Sequence, residues 1–596
     1  MSTLDFESGE SKLMLTSDNV KVKFNWFEWA NDDILLISAR YETKERQLRY
    51  YQTRLLSMNA ADKEPKAKLL LKPSLARFGN KDNNSQFQDN VIDYLPDDPE
   101  HILLSVDLDV PNMPSVYRVN IRTGKKRRVE RGKLSIRNWI TDQQNQIRVG
   151  YTYDYKTADA SYLIRTEKGA SFETLFEFNA INDKPKHVLG FAIDPNILYY
   201  SAYKGDFRAV YKLRIDTNES ELVLAHEDRD VSGGVIYSKK TGDVIGIYDR
   251  LSSYGRYYFD KRNYALNRGL EAIFEGTKAY ITDMTRDETK YVALIESDDK
   301  APEYYWGDRT DKSINLLFEQ YPDLYQKKLS HHKLISFEAR DGVSIEGYLT
   351  LPLVGEAPYP TVLHPHGGPG ARDQAGFDPW VAYMANRGYA VLRPNFRGST
   401  GYGYEFAQAQ MGRWGLEMQD DLTDATEWLI ESGVADKDKI CIFGASYGGY
   451  AAMMAAVKTP ELYTCAVSFA GVSDLKMLRR TGRKFLGGKV RGDAQLGDDT
   501  KDLNSRSPIR HVEKIATPML IMHGSDDIVV RVNQSRYFVE ELIDEKKKHK
   551  YVEFENGDHY LSIQKNRHLF FDELDAFFAE HLGVPAASAT GTEISE

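Results

Sequence analysis

The residues most able to do chemistry lie in the segment Gly444-Ala445-Ser446-Tyr447-Gly448-Gly449. A serine hydroxyl attacks a carbonyl only when a base takes its proton and the side chain stands clear of the backbone. Gly-x-Ser-x-Gly meets the second need when a buried strand runs into it and a helix leaves it. The tight turn then lifts the hydroxyl above the sheet edge. Residues 439–443 read as such a strand, and residues 450–457, rich in Ala and Met, read as such a helix. Flanking glycines remove side chains that would strike neighbouring backbone. A helix N-terminus beside the serine favours negative charge on the reacting oxygen. Ser446 is therefore the expected nucleophile.

The base and the acid that orients it should follow along the chain, in the order Ser, acid, His. Two later strand-like runs end in suitable residues. Residues 518–522 lead into His523-Gly524-Ser525-Asp526-Asp527, and 550–554 lead into Glu555-Asn556-Gly557-Asp558-His559. Groups just past the carboxyl ends of parallel strands converge on one edge of the sheet. His549 belongs to a charged run and His568 to a helix-like segment, so His559 is the expected base. Asp526 and Asp527 compete for the acid, the other serving the turn. The oxyanion formed on attack needs fixed donors. One is the amide of Tyr447, directly after the nucleophile. The other is expected from the loop His366-Gly367-Gly368-Pro369-Gly370, which follows the strand-like run 360–364.

The elements that must position these groups fall in two halves. From about residue 333, strand-like and helix-like runs alternate, the pattern of a mostly parallel α/β sheet. Residues 389–393 add a strand, and 420–432 have helical spacing closed by Gly433. The first half is rich in short alternating strands. Polar turns recur near Asp32, Asp97, Asp142, Asp194, Ser238 and Asp283, at gaps of 65, 45, 52, 44 and 45 residues by subtraction. Four of these gaps approach the period of a β-propeller blade, roughly 40–50 residues. Six copies point to six or seven blades. The expected architecture is an N-terminal all-β propeller (1–325), a C-terminal α/β-hydrolase domain (326–583) and a small polar tail (584–596) expected to be disordered.

Composition narrows the class. The chain has 596 residues, 41% hydrophobic and 28% charged, which is ordinary globular usage. No run of about 18 apolar residues suggests a membrane span. A net charge of -10 disfavours general binding to nucleic-acid phosphates. The basic run Lys125-Lys126-Arg127-Arg128 reads as a solvated turn, and His331-His332 as surface. Two cysteines, Cys441 and Cys465, cannot build a disulfide framework and read as small buried hydrophobes. No phosphate loop or His-Glu-x-x-His motif occurs, so no cofactor or metal is implied. No secretory signal is legible at the N-terminus. The compartment stays open: cytoplasmic as written, periplasmic or secreted if a signal was removed.

Taken together, the second half resembles the prolyl oligopeptidase family of serine peptidases. The likeness rests on Asp341-Gly342, Gly347-Tyr348-Leu349, His366-Gly-Gly-Pro369, Asn395-Phe-Arg397-Gly398-Ser399-Thr-Gly401-Tyr-Gly403, the Ser446 elbow, His523 through Val530 with Gln534-Ser535, and His559. The His-Gly-Gly-Pro form is most similar to the acylaminoacyl-peptidase branch. The resemblance implies a propeller before the hydrolase domain. The family pattern His-Gly-x-x-Asp-x-x-Val puts the acid at Asp527 and the second oxyanion donor at the amide of Gly368. It maps the apolar pocket onto Tyr447, Val472, Leu475, Leu478 and Val530. Three departures stand out. Val529 replaces the Arg or Asn that relatives often use to hold a substrate carbonyl, and valine cannot donate. Leu475 replaces the aromatic of proline-specific relatives. Residues 1–330 contain no adjacent Glu pair of the kind dipeptidyl peptidases use for a free amine. The expected activity is hydrolysis of short peptides through a Ser446–His559–Asp527 acyl-enzyme mechanism, with an apolar residue before the cleaved bond. A carboxylesterase with the same triad, a dipeptidyl peptidase and a binding protein with an inactive hydrolase domain are the alternatives. Expected partners are short peptide substrates, with no nucleic acid and no membrane; homo-oligomerisation is left open.

Overall fold

The structure, a computed structural model, describes residues 1–6, 8–45, 48–72, 84–251 and 255–583. The expected tail, 584–596, lies outside the described residues. By compactness the chain divides into two units, residues 1–198 with 213–219, and residues 199–212 with 220–596.

An eight-stranded sheet organises the second half. Its strands are β1 (His332–Glu338), β2 (Ser344–Thr350), β3 (Tyr359–Leu363), β4 (Ala390–Asn395), β5 (Ala435–Ala445), β6 (Cys465–Phe469), β7 (Met519–Gly524) and β8 (His549–Phe554). The spatial order is β1-β2-β4-β3-β5-β6-β7-β8. The first two strands pair antiparallel and the remaining six run parallel. Parallel strands need helical crossovers that cover both faces, so both faces must be apolar. Side-chain alternation delivers this. In β5, Ile440 and Ile442 enter one core cluster while Cys441 and Phe443 enter the other. Helices α1 (Pro379–Asn386), α2 (Glu417–Glu431), α3 (Tyr447–Lys458) and α4 (Gln564–Leu582) supply the covering layers. The five strands expected from residue 333 onward are present, as β3, β4, β5, β7 and β8; β1, β2 and β6 were not expected.

Residues 23–69, 91–130, 136–179, 187–224, 235–258 and 278–319 form small antiparallel sheets of three or four strands, each in chain order. A two-stranded ribbon pairs Ser2–Leu4 with Ser11–Leu13. The repeated polar turns mark the link between the first and second strand of each sheet, with Asp283 at the end of its first strand. Within the first unit, first strands neighbour one another: Val91–Asp93 lies against Ile136–Thr141, which lies against His187–Phe191.

Three sequence readings need correction. Cys441 and Cys465 are fully buried, as expected of small hydrophobes, but they are joined in a disulfide. In-register parallel neighbours share a face, which brings the pair together across β5 and β6. The basic run is no turn: Lys126–Glu130 is an exposed edge strand. Charges on an edge discourage pairing with other chains. His331 is exposed, yet His332 opens β1, is mostly buried and packs edge-on against Tyr348. Strand alternation sends adjacent residues to opposite faces. No helix among the described residues is long and apolar enough to cross a membrane.

Candidate active site

Ser446 stands between β5 and α3 with φ 58° and ψ -117°, a backbone conformation that costs a non-glycine residue energy. Its amide donates to Phe469 O (2.9 Å) and its carbonyl accepts from Tyr450 N (3.0 Å), fixing the turn at both ends. Two glycines are required by close approach. A Cβ on Gly444 would meet the backbone of Gly448 at 2.3 Å, and one on Gly448 would meet Pro365 O at 2.2 Å. The elbow and the His366 loop thus touch backbone to backbone. Ser446 starts a helix without a side-chain cap, so the first N–H groups of α3, including that of Tyr447, lack intrahelical acceptors.

Asp527 and His559 follow the ends of β7 and β8. His559 Nδ1 lies 2.6 Å from Asp527 Oδ2. Asp527 Oδ1 accepts from the amides of Val529 (2.8 Å) and Val530 (2.9 Å). Nδ1–H donation leaves His559 Nε2 with a lone pair, as a base requires. Burial alone would raise the Asp527 carboxyl, but hydrogen bonds from His523 and His559 outweigh it and hold the group below its ordinary value. The competing Asp526 belongs to the turn: its amide donates to Gly557 O (2.9 Å). Among the described residues no hydrogen bond joins Ser446 Oγ to His559. Such bonds are often loose before substrate arrives.

His523 is the residue whose role the sequence did not disclose. It is fully buried, with Nε2 2.9 Å from Val530 O and 3.4 Å from Asp527 Oδ2, and Nδ1 2.7 Å from Ser535 Oγ. It ties the acid's turn to the helix Asn533–Asp544. The neighbouring Gln534 amide accepts from the backbone of Ser473 (2.9 Å) and Asp474 (2.7 Å), pinning the chain after β6. Both motifs were visible in the sequence as His523-Gly524 and Gln534-Ser535, without a contact to give them meaning.

The loop bearing Gly367 and Gly368 is held from below. The His366 ring stacks on Phe396 (4.4 Å), and its Nε2 lies 2.9 Å from Ser399 Oγ. Arg397 anchors this support, bonding both carboxylate oxygens of fully buried Asp421 and also Asp341. Gly368 has φ 126°, which favours glycine, and it is exposed. A Cβ on Gly367 would lie 3.4 Å from the Ser446 Cβ, so this loop borders Ser446.

The expected pocket residues share one apolar cluster. Tyr447, Val472, Leu475 and Val530 are buried in it, and Leu478 packs against it. Val529, by contrast, is 44% exposed.

A parallel-sheet hydrolase with a serine elbow and a paired Asp–His is a serine hydrolase of the α/β class. The "Prolyl oligopeptidase family" model matches residues 375–585. A curated relative, "Dipeptidyl aminopeptidase BIII" of Pseudoxanthomonas mexicana, is 31% identical over 528 residues, covering 84% of this chain and 75% of that protein. The chain belongs to the prolyl oligopeptidase family of serine peptidases. "Acylamino-acid-releasing enzyme 2" of Oryza sativa is 24% identical over 246 residues, 39% of this chain and 31% of that one. Among solved structures, a Mycobacterium tuberculosis puromycin-hydrolyzing peptidase superposes with a TM-score of 0.69 at 18% identity, covering 95% of each chain. That likeness is one of fold.

Proposed function

We propose that the site cleaves short peptides with Ser446 as nucleophile, His559 as base and Asp527 as orienting acid. The observation that carries this reading is the 2.6 Å Asp527–His559 bond, made by residues that follow β7 and β8, the last two of the three strands beyond the serine elbow. Ser446 Oγ attacks the carbonyl and His559 Nε2 takes its proton. The amides of Tyr447 and Gly368 stabilise the tetrahedral oxyanion. Collapse passes the proton from His559 to the leaving amine, and water then repeats the sequence on the acyl-enzyme. Val472, Leu475, Leu478 and Val530 would receive an apolar side chain before the cleaved bond.

Residues 1–325 are read as a propeller of six or seven blades and 326–583 as the catalytic domain. Six small sheets in chain order, three of them with neighbouring first strands, support the blade assignment. Dipeptidyl aminopeptidase action is a second reading, favoured by the 31% identical relative of that name. The missing Glu pair weighs against it. Turnover of chromogenic peptides with free or acetylated amines, alongside a simple ester, separates the readings. Peptide cleavage that Ser446→Ala abolishes is the expected result, and preference for a free amine would select the dipeptidyl form. Ester cleavage alone would overturn the peptidase and turn attention to Val529.

A further inference from the structure

The loop that carries Gly368 continues into a second feature. Four residues on, Arg372 enters the wall of a cavity of about 660 Å³, contained within the unit that holds residues 220–596. Five basic side chains line it against three acidic ones. Arg229 pairs with its chain neighbour Asp228 (3.1 Å). Among the described residues, Arg250, Arg256, Lys278 and Arg372 have no ion-pair partner. The Arg372 guanidinium lies over the Tyr402 ring (4.5 Å) and donates to its hydroxyl (3.2 Å). Arg256 lies over Tyr248 (5.4 Å) and Tyr280 (5.8 Å) and donates to Ile281 O. Arg372 also donates to Asp373 O (3.2 Å) and Thr400 O (3.5 Å), so each of its nitrogens is engaged and only the second N–H of each terminal nitrogen is left for a ligand. Burial raises the Glu296 carboxyl above its ordinary value, and the charge of Lys278 acts in the opposite direction.

Several unpaired cations around one cavity repel each other, and an anion relieves that repulsion. Planar forked donors match a carboxylate, which can accept two parallel bonds. The volume falls in the usual small-ligand range of roughly 300–1,000 Å³. Four residues of chain span at most about 14 Å, so the cavity lies near the oxyanion loop. An extended peptide rising about 3.4 Å per residue covers that distance in about four residues. We propose that this cavity binds a carboxylate of the substrate, giving preference to short peptides with an acidic group or free carboxyl end a few residues from the cleaved bond. The inference rests on the peptidase reading above.

The test is calorimetric titration of full-length Ser446→Ala protein with three matched peptides. These are acetyl-Ala-Ala-Phe-Ala-amide, the same peptide with a free C-terminal carboxylate, and succinyl-Ala-Ala-Phe-Ala-amide. At least one carboxylate peptide should bind ten-fold or more tightly than the neutral one. That ratio should fall to about one when Arg250→Gln and Lys278→Gln are added, Arg250 being exposed and Lys278 half-buried. It should also shrink as salt rises, since screening weakens charge pairing. Equal binding of all three peptides, or an advantage indifferent to salt and to the double change, overturns the proposal. So does inorganic phosphate binding more tightly than either carboxylate peptide. Wild-type hydrolysis of acetyl-Ala-Ala-Phe-p-nitroanilide is measured in parallel. Hydrolysis without a carboxylate advantage sinks the cavity inference alone, whereas carboxylate binding without any hydrolysis sinks the peptidase reading.

Discussion

Asp527 concentrates the electrostatics of the proposed mechanism in one carboxylate. It is almost fully buried, holds His559 through one oxygen and two backbone amides through the other. Asp527→Asn keeps the shape but changes the hydrogen-bond role, so kcat should fall about 10³–10⁴-fold with the fold retained, as steady-state kinetics and circular dichroism would check. The same residue sets a pH dependence. Its folded-state carboxyl sits below the ordinary 3.8, so the unfolded chain binds this proton more readily. The pair's stabilisation is complete above the ordinary carboxylate range and is lost as pH falls through the depressed value. The gap in Tm between wild type and Asp527→Asn should therefore narrow below about pH 4. Ser446 and His559 were legible in the sequence because an elbow and a strand end each leave a local pattern. Asp526 and Asp527 were not separable on that ground. What distinguishes them is which way the turn aims each carboxylate, and that depends on amides of residues 529 and 530 and on His523, a contact no spacing reveals.

At the scale of elements, the site depends on two backbones brought together by missing side chains. Gly448 lies under Pro365 O so closely that even one methyl group displaces the loop that begins at His366. Gly448→Ala should destabilise the protein by about 1–3 kcal/mol through overpacking. It should also lower kcat about 100-fold, because a displaced amide no longer meets the oxyanion. Denaturant titration and kinetics on the same preparation measure both. A change in KM alone, with kcat intact, would show that the loop does not hold the oxyanion donor. The strands of the catalytic half were readable because buried parallel strands are short unbroken apolar runs between glycines and polar turns. Their ends moved by a few residues: β5 begins at Ala435 rather than near 439, since Ala435 pairs with Tyr359 of β3 and the polar residues 436–439 form an irregularity before pairing resumes at Ile440. The cysteine pairing was not readable, because it follows from the register between β5 and β6.

At the scale of the molecule, the polar-turn repeat found in the sequence marks the first hairpin of each small sheet. Residue spacing alone carried that, since each sheet is built from consecutive local hairpins. The two compact units did not show in composition, as the division falls inside a run of similar strands. Each unit has core clusters of its own, so heat should not unfold the chain as one two-state system. Scanning calorimetry should resolve more than one transition, and covalent occupation of Ser446 should raise only the one that includes the sheet bearing Ser446, Asp527 and His559. A single two-state transition would show the units to be thermodynamically one. The most direct test of the mechanism is labelling with a fluorophosphonate, followed by mass spectrometry of the intact protein and its peptides. The expected result is one adduct per chain, located on Ser446, absent in Ser446→Ala and strongly slowed in His559→Gln. Labelling on another residue, or at an undiminished rate in His559→Gln, would contradict the assignment of Ser446 and His559 as nucleophile and base.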